Sequence, residues 1–144
     1  METTIMGKVF ATAKIENLAD LYEAKKKELD AAQVRSVEVS DALVDTGATM
    51  LSLPKHLIEK LGLSQYRTRR IRTSAGTVDC NVYDAVRLTI QGRDCTQDVA
   101  EVPDDCPVLI GQLPLEALDF VVDLKEQKLI GNPEHHGEFM IENL

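Results

Sequence analysis

Aromatic residues are scarce in this chain, 4% of 144 positions, and nowhere do they stud a basic stripe. Basic residues are outnumbered, 16 against 24 acidic ones, for a net charge of −8. These shortages argue against a nucleic-acid or membrane binder, which needs a positive face. No apolar run is long enough to cross a bilayer, and no signal-peptide h-region opens the sequence. Cysteine is sparse. Cys80, Cys95 and Cys106 are odd in number, widely spaced and without a CxxC pair. That excludes a disulfide framework and allows one bridge at most. The expectation is a cytoplasmic, reducing setting in which the three thiols are small, half-buried hydrophobes. No His lies near them in sequence, so a thiol nucleophile is the weaker reading.

What is present is ordinary for a globular chain: 44% hydrophobic and 28% charged residues. With no repeat and no low-complexity linker, residues 1–144 read as a single domain, long enough to build a core without metal or disulfide staples. The pattern is strand-rich. Gly7–Ile15 alternates as a half-buried strand. Asn17 then caps a helical insert over about 17–32, whose Lys25-Lys26-Lys27 run reads as a solvated face. Val34–Asp45 returns to strand. A helix follows with Ser52 as N-cap, Pro54 in its first turn, Gly62 past its end and Leu53, Leu57, Ile58 and Leu61 as its stripe. From Arg67 to Val102 short strands alternate around turns at Thr73–Thr77 and Gln91–Arg93. Val108–Gly111 is a short buried strand, Pro114–Asp119 a short helix and Phe120–Ile130 a hairpin.

The chemistry centres on Asp45-Thr46-Gly47, placed where an apolar strand ends. This sets a carboxylate on a tight turn. Gly47 lets the backbone approach closely, and Thr46 can hold the loop by a local hydrogen bond. The tripeptide alone fits equally well a common Asp-x-Gly turn between two elements. The second element is Leu109-Ile110-Gly111, two apolar residues and a glycine ahead of a short helix.

In this order, Ala42-Leu43-Val44-Asp45-Thr46-Gly47-Ala48, a hairpin centred on Ala75-Gly76 and then Leu109-Ile110-Gly111 with its helix, the chain resembles a retropepsin-like (retroviral-type) aspartic protease of cellular type. The likeness spans about Val37 to Asp123. It implies a mainly β fold: a closed single-lobe barrel with a few short helices, active as a homodimer. It implies Asp45 as catalytic residue, with Thr46, Gly47 and Ala48 supporting its loop. Ser74, Ala75, Gly76 and Thr77 would form a flap, and Leu109, Ile110 and Gly111 the packing beneath the site. Two facing carboxylates would share one proton, since two like charges that close cannot both ionise. One would act as base on a water while the other polarises the scissile carbonyl, with a peptide substrate bound extended under the flap.

The chain holds one Asp-Thr-Gly, so the second carboxylate is expected from Asp45 of a second copy. No cofactor, metal, nucleic acid or membrane partner is expected. The chain departs from the compact viral pattern in the helical insert, the Pro54–Leu61 helix, the extension over about 124–144 and Gln112 in place of a charged residue. Its tail offers Phe139, Met140, Ile141 and Leu144 for docking on a partner. His135 and His136, beside Glu134 and Glu138, read as an exposed tail turn rather than a metal site, and His56 as a surface residue. Arg67, Arg69, Arg70 and Arg72 read as a solvated face, with a minor share for attracting acidic substrate side chains. The alternative to an endopeptidase is a peptide-binding or dimerisation module that keeps the fold and cleaves little. A plain β-barrel with a chance Asp-Thr-Gly turn is weaker still.

Overall fold

The structure, a computed structural model, describes residues 8–143. Gly7 of the expected first strand and Leu144 of the expected docking tail lie outside these residues. Strand β1 (Val9–Asn17) buries Val9, Ala11, Ala13 and Ile15 and turns the residues between them outward, the alternation expected of a half-buried strand. Asn17 caps helix α1 (Leu18–Lys25) by accepting from the Asp20 N–H. It also donates to the Leu61 carbonyl at 2.8 Å, which ties the cap into the body.

The helix is much shorter than the insert expected to run to Ala32. Only Leu18 and Asp20 are buried along it, and the lysine run offers nothing apolar to bury in a further turn. A 3₁₀ turn over Ala31–Gln33 follows, closed by a capping box between Asp30 and Gln33. Asp20 had no sequence signal, yet it anchors the helix. Its carboxylate takes Arg35 Nε at 2.8 Å and Nη2 at 2.9 Å, which holds it below the usual carboxylate range.

The remaining elements are β2 (Ser36–Val44), β3 (Leu51–Pro54), α2 (Lys55–Leu61), β4 (Gln65–Thr73), β5 (Gly76–Ile90), β6 (Arg93–Val102), β7 (Leu109–Ile110), α3 (Gln112–Leu118), β8 (Phe120–Asp123) and β9 (Lys128–Gly131). Seven strands form a mainly β body in the order β1-β2-β7-β3-β6-β5-β4, and β8 and β9 make a separate hairpin. Strand β5 also pairs with β1, Ile15 opposite Leu88, so the pairing from β1 to β5 returns to β1. Ile15, Leu51, Leu53, Ile58, Leu61, Leu88, Ile90, Ile110 and Leu118 are fully buried at the centre.

Two local expectations are corrected. Ser52 does not cap a helix. It sits buried in β3, between Leu109 on one side and Ala100 on the other. A ladder on both edges satisfies more backbone groups than a cap would, so Leu53 is a strand residue and Pro54 becomes the cap of α2. Between the two expected turns the chain forms not several short strands but one long strand, β5. A register shift between Tyr83 and Val86 takes up the irregularity where Asp84 meets Ser64.

Glu134, His136 and Glu138 are exposed as expected of a tail turn, but His135 is not. His135 is 11% exposed, with Nδ1 2.7 Å from Asp119 Oδ2 and Nε2 2.7 Å from Glu142 Oε1. Arg93 sits beneath it, donating to the Leu118, Asp119 and Gly137 carbonyls. Its guanidinium lies over the rings of Phe120 and Phe139. Phe139 thus stacks on its own chain, and Met140 donates its N–H to Asp119. Gly131 is required here, since a Cβ would come within 2.8 Å of the Gly137 backbone.

Candidate active site

The Asp45 loop is built by the short strand β7, which threads between β2 and β3. It runs parallel to β2, with Val44 opposite Ile110, and antiparallel to β3, with Leu51 opposite Ile110. Thus the strand that enters the loop and the strand that leaves it are held a fixed distance apart by one two-residue spacer. Asp45 continues the ladder, its N–H donating to the Ile110 carbonyl at 2.9 Å.

Within the loop the carboxylate folds back on the backbone. Asp45 Oδ1 accepts the Gly47 N–H at 3.0 Å, and the Ala48 N–H donates to the Asp45 carbonyl at 3.1 Å. These two bonds, rather than Thr46, hold the turn. Thr46 is exposed, and its hydroxyl forms no hydrogen bond among the described residues. A Cβ at Gly47 would crowd Oδ1 at 3.3 Å. The glycine leaves the carboxylate half-buried with one oxygen committed and the other open.

Helix α3 has no side-chain cap at Gly111. Its first two N–H groups are satisfied by the Asp loop instead: Gln112 donates to the Ala48 carbonyl at 2.8 Å and Leu113 to Thr49 at 2.9 Å. This is the role of Gln112 that its side chain did not disclose. The missing capping residue at Gly111 was the signal for it. Leu109, Ile110 and Gly111 and the loop Asp45–Ala48 are therefore one bonded unit.

The residues expected to form a flap lie elsewhere on the same sheet. Strands β4 and β5 pair up to Thr73 opposite Gly76, leaving Ser74 and Ala75 as the tip. The Thr73 hydroxyl accepts from the Ala75 N–H and donates to the Gly76 carbonyl, and Gly76 takes a φ of 114°. Ser74, Ala75, Gly76 and Thr77 are all exposed.

The cysteines do not compete for the chemistry. All three are unpaired and half-buried. Burial raises the Cys80 thiol and pushes Cys95 up to about 11, the wrong direction for a nucleophile. His56 is on the surface, its Nδ1 2.9 Å from Asp104. Sequence reading missed the Tyr83 hydroxyl, 2.6 Å from Glu101 and pushed up to about 12 by that bond. Tyr83 is part of the buried core.

Comparison with curated proteins finds no match for this chain. A family model described as aspartyl protease matches residues 31–123. That span holds the Asp45 loop, the β4–β5 hairpin, Leu109-Ile110-Gly111 and α3. The chain belongs to the aspartyl protease family.

Proposed function

We propose that the chain is an aspartic endopeptidase whose working unit is a homodimer, with Asp45 of each copy forming one dyad. The observation that carries this reading is the bonded unit of the Asp45 loop, Ile110 and Gly111, which presents one carboxylate oxygen on a rigid turn. One ionised carboxylate takes a proton from a bound water as the water oxygen attacks the scissile carbonyl carbon. The protonated partner hydrogen-bonds the carbonyl oxygen. Collapse of the tetrahedral species breaks the C–N bond, and a carboxyl proton passes to the leaving amine. The Ser74–Thr77 tip closes over an extended peptide and excludes water. The return of the pairing to β1 supports a closed barrel. Three unpaired, widely spaced cysteines support a cytoplasmic setting.

Asp45→Asn keeps the loop's shape and removes the charge. It should abolish cleavage of a mixed peptide pool while circular dichroism and sedimentation stay unchanged. Undiminished turnover in that variant would rule out the endopeptidase reading. Binding of peptides without turnover in the unmodified chain would favour the peptide-binding module.

A further inference from the structure

Residues paired across a sheet place their side chains on one face. One such row runs through six strands: Leu43, Leu109, Ser52, Ala100, Val82 and Arg67. Asp45 follows β2 directly and its N–H donates to the Ile110 carbonyl, so its loop starts at the Leu43–Leu109 end of this row. Further out on the hairpin, Arg69 pairs with Cys80 and Ile71 with Val78 on this face. The opposite face carries Arg70 against Asp79 and Arg72 against Thr77. The four arginines of β4 thus divide two and two.

Their charges are not matched alike. Arg70 has Asp79 3.9 Å away, whereas the partners opposite Arg67 and Arg69 are Val82 and Cys80. Arg67 is pre-positioned, its guanidinium 4.4 Å from the Tyr66 ring centroid, where the register shift after Gln65 brings the two side by side. All four arginines are exposed, in a chain of net charge −8. Among the described residues strand β4 ends the sheet, and none of them pairs with its outer edge, which can take an added strand. A second copy would bring arginine against arginine there. An acidic segment would find cations.

Resting on the protease reading above, we propose that Arg67 and Arg69 select acidic side chains of an extended substrate, and that Arg70 and Arg72, equal in charge, do not. Ser52, Ala100 and Val82 in the middle of the row from Leu43 to Arg67 are buried, so the acidic segment meets Arg67 and Arg69 from the edge of β4.

The test uses the full chain carrying Asp45→Asn, so that binding is read without cleavage. The probes are a fluorescein-labelled decapeptide with Glu at alternating positions among Ala and Val, and its Gln counterpart. Fluorescence anisotropy should show the acidic peptide bound about tenfold more tightly at low salt, the gap narrowing at high salt. Adding R67Q and R69Q should erase the gap, and R67K with R69K should restore most of it. R70Q with R72Q should leave it in place. Circular dichroism checks each fold, and the single substitutions R67Q and R69Q serve if the pair does not fold. Equal loss from both arginine pairs would mean a general positive field and overturn the inference, as would equal binding of the two peptides. If the native chain cleaves nothing but the Arg67/Arg69 pattern holds, the selection stands and the protease reading falls. If it cleaves but ignores Arg67 and Arg69, the reverse is true.

Discussion

Gly111 lies directly beneath the backbone of Met50: a Cβ at position 111 would stand 2.8 Å from the Met50 amide nitrogen and 2.7 Å from the Thr49 carbonyl carbon. The φ at Gly111 is −85°, so any residue could adopt the conformation. Glycine is required by the close approach alone, and the approach lets the Asp45 loop take its hydrogen bonds from Gln112 and Leu113.

Gly111→Ala should therefore push two backbones apart. The expected cost is about 1–3 kcal/mol of stability, as for other overpacked sites. The loss of activity should be larger than that of stability, because the displaced segment carries Asp45. Urea unfolding beside peptide turnover would measure both. A variant with wild-type values of each would show that the contact positions nothing.

Specific activity should fall on dilution if, as proposed, each chain brings its single Asp45-Thr46-Gly47 to a shared dyad. Sedimentation and turnover over one dilution series should change together. A monomer active at constant specific activity would refute the shared site. Removing the tail is a poor substitute for dilution. It strips Arg93 of the Gly137 carbonyl and Asp119 of the Met140 N–H, and so weakens the chain itself.

Turnover should follow a bell-shaped pH profile on the acidic side of neutral, as a dyad sharing one proton requires. Chelators should leave it unchanged. Activity rising steadily into alkaline pH would point to different chemistry.

Docking of the tail should have its own pH window. Bonds to Glu142 and then Asp119 raise His135, and the bond from His135 lowers Asp119. The His135 contribution is complete below its ordinary value and is lost as pH rises through its raised one. The Asp119 contribution is present above its ordinary value and is lost as pH falls through its lowered one. The tail should hold best between roughly pH 4 and 6.5. Hydrogen exchange at the Met140 amide, corrected for intrinsic rate, should lose protection above that window. His135→Gln should flatten the alkaline limb. Protection unchanged from pH 5 to 9 would disprove the latch.

Much of this protein follows from its sequence. The alternation from Val9 to Ile15 commits one face of β1 to the core whatever surrounds it. Gly62 ends α2 in the left-handed region, as a glycine just past a helix does. The order of Asp45-Thr46-Gly47, the Ala75-Gly76 hairpin and Leu109-Ile110-Gly111 was enough to place the family. Local signals suffice there because periodicity, turn chemistry and short motifs act within a few residues. Tertiary structure decided the rest. Ser52 has the chemistry of a cap, but two flanking strands claim its backbone. His135 reads as a surface residue until Asp119, sixteen positions earlier, turns up at its ring nitrogen. Arg67 and Arg70 look equivalent in sequence, and only pairing across six strands puts Arg67 in one row with Leu43, beside the Asp45 loop, and Arg70 opposite Asp79 on the other face. Backbone satisfaction, burial and register are properties of segments brought together from far apart, and no window of neighbouring residues contains them.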